Sequence, residues 1–103
     1  MGKQVMLFVV NFTDKSNIQH IREKHLEAHI SWLDERRDSI LVAGSLRNEP
    51  SSNPLGGLWV VEANSKNEVS ELFETDPFWV NGMREKVEIY HWSKAFPNEK
   101  AIV

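Results

Sequence analysis

The strongest constraint on the fold is a short segment near the N-terminus that is apolar on both of its alternating faces. In residues 3–12, side chains of both parities are apolar: Val5, Leu7 and Val9 on one face, and Met6, Phe8, Val10 and Phe12 on the other. A strand in a sheet with one solvated face would alternate apolar and polar residues instead. The segment therefore predicts a strand that is buried on both faces.

Hydrophobic periodicity and turn residues divide the rest of the chain into two helices and three further strands. A long helix is predicted over residues 18–37 with Ser16 or Asn17 as its N-cap, and strands over residues 39–46, 56–63 and 86–93. Residues 65–68 have the spacing of a capping box and open a short helix, which Pro77 should stop at or before Asp76. The order βαββαβ predicts a ferredoxin-like α+β fold, with two helices on one face of a four-stranded antiparallel sheet.

The length and the two-faced strands predict one domain that pairs with a copy of itself. The chain has 103 residues, which fits a single domain over residues 1–96 followed by a polar tail at residues 97–103. The last strand repeats the two-faced pattern, with Val87 and Ile89 opposite Tyr90 and Trp92. Two helices cover only one face, and two-fold homodimers are the commonest assembly. We therefore predict a homodimer packed through the open sheet face.

Composition excludes several classes of function. The net charge is −3 with acids and bases mixed along the chain, which does not match the basic stripe of a nucleic-acid-binding protein. The absence of cysteine excludes disulfides and thiolate chemistry. The apolar run at residues 5–10 is too short for a transmembrane helix and lacks a cleavage site, so we expect a cytoplasmic protein with no membrane partner. No glycine-rich phosphate-binding motif is present, and no nucleotide cofactor is expected.

Two histidines four residues apart, His25 and His29, lie on the apolar face of the long predicted helix. His29 is near the centre of a broad arc made of Ile18, Ile21, Arg22, His25, Leu26, His29, Ile30, Trp32 and Leu33. A titratable ring that faces a core must find a partner or remain neutral. The position of His29 indicates either a structural hydrogen bond or the start of a site.

Three interpretations of this histidine pair follow from its chemistry. A metal site is disfavoured, because Glu27 does not directly follow the first histidine as in zinc proteases, and no third ligand has a convincing spacing. A general acid or base would need a carboxylate to orient it, and Asp76 is the candidate because neighbouring helix ends can meet. Asp34 is a local rival that should point to solvent. The structural alternative is a hydrogen bond across the helix packing.

Other residues have both a structural and a functional interpretation. The four tryptophans (Trp32, Trp59, Trp79 and Trp92) supply core and interface area, or form the walls of a pocket for an aromatic ligand. Arg22 could anchor a ligand carboxylate or phenolate, or pair with an acidic residue at the dimer seam. Gly44 could mark a bulge in its strand, and Ser45 adds a hydroxyl that could meet a ligand.

The combination of motifs resembles the YciI-like (YCII-related) family over roughly residues 3–96. The matching segments are Arg22-x-x-His25-x-x-x-His29-x-x-Trp32-Leu33, residues 40–46 (Ile-Leu-Val-Ala-Gly-Ser-Leu), Asp76-Pro77-Phe78 and Val87-Glu88-Ile89-x-x-Trp92. Two positions depart from the family pattern. Ser45 stands where the family usually has proline, and Phe78 stands where it often has tyrosine.

The resemblance implies a dimeric α+β barrel with a His–Asp pair in a cleft near the dimer interface. The family histidine maps to His29 and the aspartate of Asp-Pro to Asp76, while the family's Ala-Gly-Pro turn maps to Ala43, Gly44 and Ser45. Some members resemble a dehydrochlorinase that acts on chlorinated hydroxyquinols. The wider superfamily also includes muconolactone isomerases and cofactor-free monooxygenases, so the fold alone does not fix the reaction.

Two functional hypotheses remain at the level of sequence. In the first, the protein is a cofactor-independent lyase or isomerase in which His29 is the base and Asp76 orients it. Arg22, His25, Gly44 and Ser45 would then hold a small substrate, for example a phenol. In the second, the protein is a non-catalytic small-molecule-binding or accessory protein that uses the same dimer cleft.

Overall fold

A computed structural model describes residues 5–97 and 103 of the chain. The elements are β1 (Met6–Asp14), α1 (Gln19–Asp34), β2 (Ile40–Leu46), β3 (Gly56–Ala63), α2 (Lys66–Phe73), α3 (Pro77–Val80) and β4 (Arg84–Trp92). The four strands form one antiparallel sheet in the order β2-β3-β1-β4. This arrangement confirms the predicted ferredoxin-like α+β fold.

Most of the predicted tail at residues 97–103 lies outside the described residues, as does the start of the first predicted strand at residues 3–4. The division of the chain into a domain and a tail therefore stays a prediction. Within residues 5–97, no helix is long and apolar enough to span a membrane.

The helix-covered face of the sheet holds the hydrophobic core. Phe8, Val10 and Phe12 of β1 point to this face and are fully buried. The Phe12 ring lies 4.7 Å from the ring of Trp59 on β3 and 5.5 Å from that of Phe73 on α2. The first helix, the second helix and the sheet thus meet around one aromatic cluster, because the inward parity of β1 carries large side chains.

The opposite face of the sheet, which we call the open face, is also apolar, but no helix within residues 5–97 covers it. Strand register places Val9 beside Tyr90 and Val60, and Leu7 beside Trp92. The exposed apolar side chains of this face are Val5, Val42, Leu46, Leu58, Tyr90 and Trp92. The second apolar face predicted from the sequence is therefore present, and in a single chain it remains exposed to solvent.

The first helix is shorter than predicted. It begins at Gln19 with Ile18 at the N-cap and no side-chain cap, and it ends at Asp34 because residues 35–39 form turns. Neither Ser16 nor Asn17 is the cap, and Asn17 adopts a left-handed backbone conformation (φ 58°) just before the helix. The predicted apolar arc is only partly covered, since Leu26 and Ile30 are exposed.

A short third helix, which was not predicted, replaces the expected apolar connector. Helix α2 begins as predicted, with the Ser65 hydroxyl accepting a hydrogen bond from the Glu68 N–H. It already ends at Phe73, and Asp76 is the N-cap of α3 rather than the last residue of α2. The Asp76 side chain accepts from the Phe78 N–H at 3.2 Å, and Pro77 occupies the first helical turn. An aspartate cap followed by proline is a helix-start signal, since proline at that position loses no hydrogen bond.

The edge strand β2 is irregular near its start. Pairing between β2 and β3 shifts so that Ile40 pairs with Val61 and Val42 with Val60, which leaves Leu41 as the extra residue of a β-bulge.

At the start of β3, the backbone of Gly56 packs closely on β1. A Cβ at this position would lie 1.9 Å from the carbonyl oxygen of Phe12, so only glycine allows the two strands to approach this closely.

Candidate active site

The centre of the site is a buried pair of His29 on α1 and Asp76 at the N-cap of α3. His29 Nδ1 lies 2.6 Å from Asp76 Oδ1, and both side chains are almost fully shielded from solvent. The same Oδ1 accepts from the Phe78 N–H, which fixes the carboxylate on the start of α3. Asp34 is exposed and pairs with Arg37 instead of His29. The interpretation with Asp76 as the partner therefore matches the geometry.

The hydrogen bond to Asp76 determines which nitrogen of His29 can act as a base. When Nδ1–H donates to the carboxylate, the neutral imidazole keeps its lone pair on Nε2. Among the described residues, Nε2 has no hydrogen-bond partner. The ring is held flat against Phe78, with ring centres 3.9 Å apart and an interplanar angle of 14°. The arrangement gives an oriented imidazole with one free nitrogen.

His29 lines a cavity of about 450 Å³ between α1, α3 and the helix-covered face of the sheet. This volume is in the range of small-molecule sites. The lining residues are Arg22, Leu26, His29, Ile30, Leu33, Ala43, Gly44, Ser45, Arg47, Pro54, Gly56, Gly57, Trp59, Phe78 and Arg84. A second cavity of about 470 Å³ lies at the C-terminal part of α1 against β2, but no histidine of the described residues lines it. We therefore take the His29 cavity as the candidate site.

Two arginines of this cavity are held together by one buried aspartate. Arg22 Nη2 donates to Asp14 Oδ2 at 2.6 Å, and Arg84 Nη1 donates to Asp14 Oδ1 at 2.7 Å. The side chains of Asp14 and Arg84 are only 2% and 3% exposed. Asp14 and Arg84 are paired residues at the same end of the sheet, where β1 ends and β4 begins. The fold itself thus builds an arginine–aspartate–arginine cluster in which the two arginines are part of the cavity wall and Asp14 lies behind it.

The charged guanidinium of Arg84 is buried inside the protein. Burial lowers the pKa of the Arg84 guanidinium, while the hydrogen bond and negative charge of Asp14 and the charge of Asp76 oppose this shift. The guanidinium carbon lies 4.4 Å from the ring centre of Phe12 and 5.4 Å from that of Phe78. Within residues 5–97, three buried polar atoms of this region lack a hydrogen-bond partner: Nε of Arg22, Nε of Arg84 and Oδ2 of Asp76.

The mouth of the cavity is formed by the end of β2 and the loop that follows it. Arg47 Nη2 donates to Ser45 Oγ at 2.6 Å, and its Nη1 donates to the Ser52 carbonyl at 3.3 Å. Ser45 stands where proline was expected from the family pattern, and its hydroxyl positions an additional cation at the rim. Gly44 also lines the cavity.

The structure brings together most of the residues that the sequence analysis selected. Arg22, His29, Gly44 and Ser45 line the cavity, and Asp76 lies directly behind His29. His25 is half-buried one turn earlier on α1 and does not line the cavity, so its predicted role in holding a substrate has no support from its position. The tryptophans lie in different parts of the fold. Trp59 lines the cavity, Trp32 is buried in the core and Trp92 lies on the open face.

Sequence reasoning missed Asp14 and Arg84. Asp14 was interpreted only as a residue that closes the first strand, and the predicted last strand began at Lys86. The available signal was the antiparallel topology, which places the end of the first strand beside the start of the last.

In the part of the chain that the structure describes, no group of three or more histidine, aspartate or glutamate side chains is arranged to hold a metal ion.

Comparison with known protein families gives one clear match. A sequence model of the YCII-related domain matches residues 6–93, which is most of the chain. This agrees with the resemblance noted from the motifs of α1, β2, α3 and β4. No curated protein sequence matches the chain.

Comparison with solved structures supports the fold. The 5-chloro-2-hydroxyhydroquinone dehydrochlorinase of Burkholderia phenoliruptrix AC1100, in complex with 2,5-dihydroxybenzoquinone, aligns with a TM-score of 0.80 at 24% identity, covering 91% of this chain and 100% of that chain. A NIPSNAP family protein of Agrobacterium tumefaciens strain C58 aligns with a TM-score of 0.56 at 11% identity, covering 93% of this chain and 100% of that chain. At these identities the likeness establishes the ferredoxin-like fold and not the reaction.

Proposed function

The chain belongs to the YCII-related domain family, and from this membership and the geometry of the cavity we propose that it is a small-molecule enzyme with a His–Asp acid–base pair. The observation that carries the proposal is the 2.6 Å contact between His29 Nδ1 and Asp76 Oδ1 at the wall of a cavity of suitable size. His29 is the catalytic base in this proposal, and Asp76 is a positioning residue that acts through it.

The proposed reaction is an elimination or an isomerisation that begins with proton abstraction. His29 Nε2 takes a proton from the substrate, and the carboxylate of Asp76 stabilises the imidazolium that forms. In an elimination, the electron pair of the broken C–H bond forms the new double bond, and the pair of the bond to the leaving group departs with that group. No external oxidant is needed. In this proposal Arg22, Gly44 and Ser45, which line the cavity, hold the substrate, and Trp59 and Phe78 provide flat apolar walls for a small aromatic ring.

We propose that the working form is a homodimer through the open face. This face carries large exposed apolar side chains such as Tyr90 and Trp92 on β4 and Leu58 on β3, which a monomer would leave in water. Exposed apolar patches of this kind are typical of protein–protein contacts. The cavity lies on the helix side of the sheet, so the two cavities of a dimer would be separated by two sheet layers.

The first experiment tests the base and its positioning residue. The dehydrochlorinase with the same fold is named for 5-chloro-2-hydroxyhydroquinone, so chloride release from this compound, together with a panel of small phenols and dicarbonyl compounds, is a reasonable starting assay. We expect His29→Ala to lower kcat by about 10² to 10⁴, since this is the usual contribution of a general base. Asp76→Asn should cause a smaller loss and change the pH profile of kcat, because the amide still caps α3 but no longer stabilises the imidazolium.

His25→Ala is the matched control, because it removes an imidazole from the same helix outside the cavity. It should leave kcat within a factor of two of the unchanged protein by the usual behaviour of half-exposed sites. If His29→Ala is folded and as active as the control, the enzyme proposal is wrong. If no substrate in the panel is turned over but the cavity binds one of them, the same site serves a binding or accessory protein.

A further inference from the structure

We infer that the cavity selects a substrate that already carries a carboxylate, and that the Asp14-linked pair of Arg22 and Arg84 binds this group. The inference rests on the proposed function, because it names the substrate class of the same cavity. It uses residues for which the proposed acid–base chemistry has no need, namely Asp14 and Arg84. The argument combines the charge of the cavity lining, the geometry of the two arginines and their position relative to His29.

The charged side chains that line the cavity are cationic. Arg22, Arg84 and Arg47 are part of the lining, and among the described residues no aspartate or glutamate is. The two carboxylates of the region, Asp14 and Asp76, lie behind this wall, where Asp14 contacts both buried arginines and Asp76 contacts His29. A wall of this composition, with low-dielectric surroundings, attracts anions and disfavours cations.

Asp14 shares its single carboxylate between the two arginines. It uses one oxygen for Arg22 and the other for Arg84, so each guanidinium has a single hydrogen bond to it. A guanidinium has five N–H donors, and burying a charge with unsatisfied donors is costly. Within residues 5–97, Nε of both arginines is buried without an acceptor. A ligand carboxylate would supply acceptors for these donors, in the planar geometry that guanidinium groups recognise best.

The backbone near Arg84 leaves room for such a group. Gly57 on β3 lines the cavity, and a Cβ placed there would lie 3.6 Å from Arg84 Nη2 and 3.7 Å from Nη1. Gly57 therefore places no side chain of its own between the cavity and this guanidinium.

Phe78 connects the anion site to the proposed base. Its ring centre lies 3.9 Å from the His29 ring centre, 5.3 Å from the Arg22 guanidinium carbon and 5.4 Å from that of Arg84. The imidazole and both cations therefore border the same ring, within the span of one substituted aromatic acid. A carboxylate on the arginines would orient the remainder of the substrate towards His29, and this is how binding energy away from the reacting atoms contributes to catalysis.

The test compares an anion with its neutral isostere. Calorimetric titration would measure the binding of 4-hydroxybenzoate and 4-hydroxybenzamide at fixed ionic strength. We expect the carboxylate to bind at least about tenfold more tightly, because a charge-assisted hydrogen bond is worth roughly twice a neutral one. Arg84→Gln and Arg22→Gln should each remove this preference without weakening amide binding. Arg22 is the more exposed of the two and serves as the second variant if Arg84→Gln does not fold.

Arg37→Gln is the matched control for charge, since Arg37 is exposed, pairs with Asp34 and lies outside this cavity. It should keep the preference for the carboxylate. His29→Gln should keep it as well, so a failure of the catalytic proposal and a failure of the anion site give different results. Equal affinity for the two compounds, no binding of either at about 10 mM, or an equal loss of preference in Arg37→Gln would overturn the inference.

Discussion

The two faces of the sheet have similar apolar content but very different surroundings. On β1, the side chains of Phe8, Val10 and Phe12 are buried under the helices. Val5, which directly precedes this strand, points to the open face and is 53% exposed. On β4, Tyr90 and Trp92 lie on the same open face and are 52% and 42% exposed. Within one chain, then, one face has its cover and the other does not.

This difference shows that the apolar pattern of a strand does not by itself report burial within the single chain. The helix-covered face gains its free energy during folding, because its partners α1, α2 and α3 belong to the same chain. The open face can gain free energy only from a partner, and that contribution depends on protein concentration. Substitutions on the two faces should therefore affect different measurements.

The largest expected effect is on the helix-covered face. Phe12 is buried between Trp59, Phe73 and the Arg84 guanidinium. Phe12→Ala should lower the free energy of unfolding by about 3–5 kcal/mol, since it removes a large side chain and leaves a cavity. Urea denaturation at several protein concentrations would measure this loss, which should be the same at every concentration.

Tyr90→Ala is the matched control for that substitution, because it also truncates an aromatic side chain but on the open face. In dilute protein it should cost less than about 1 kcal/mol, as for other exposed positions. Similar losses for Phe12→Ala and Tyr90→Ala in dilute protein would contradict the contrast between the two faces.

A smaller effect on unfolding, but a clear effect on assembly, is expected at the open face. Leu58→Glu places a charge beside Asn11 and Gly44, in the middle of the proposed sheet-to-sheet contact. It should weaken the dimer at least about 100-fold, since an unpaired charge buried in an interface is costly. Sedimentation equilibrium would measure this change in the dissociation constant.

Leu55→Glu makes the same change at an exposed leucine just before β3, outside the sheet. It should leave the dimer intact. The proposal fails if the unchanged chain is a monomer at micromolar concentration, or if Leu58→Glu and Leu55→Glu assemble equally well.

The smallest expected effect concerns Tyr90, which is the only tyrosine in the chain. Its hydroxyl donates to Glu88 Oε2 at 2.7 Å, and this hydrogen bond, together with the negative charge of Glu88, raises the pKa of Tyr90 above 10.0. The protonated phenol is thereby stabilised in the folded state. This contribution to stability is present below the ordinary tyrosine pKa and is lost as the pH rises through the higher folded value.

Glu88→Gln should therefore move the titration of Tyr90 to lower pH, which the ultraviolet absorbance of tyrosinate would follow without interference from other tyrosines. Glu85→Gln, on the same strand but without a bond to the phenol, is the control and should leave the titration unchanged. An unchanged titration in Glu88→Gln would show that Glu88 does not control this group.

The fold could be predicted largely from the sequence, because its information is local. The strands are short apolar runs, and the start of α2 is marked by Ser65 and Glu68. The proximity of His29 and Asp76 could also be predicted, since the topology brings the two segments together. The third helix could not, because Asp76-Pro77 was interpreted as the end of α2, although the same pair of residues is a helix-start signal.

The arginine cluster was beyond the sequence analysis for a different reason. Asp14 and Arg84 are 70 positions apart, and their pairing depends on strand register, including a shift in the pairing after Thr13. A charged residue at a strand end normally points to water, so neither residue had a distinctive pattern. Long-range contacts between charged side chains are decided by the packed structure, not by local periodicity.

The bulge at Leu41 has a consequence for how copies of this chain can associate. It interrupts the hydrogen-bonding pattern along β2, which lies at one margin of the sheet. Irregular margins discourage one sheet from extending into the next by strand addition, the route that leads to fibrils. The proposed stacking of two open faces does not use this margin, so an irregular β2 is compatible with it.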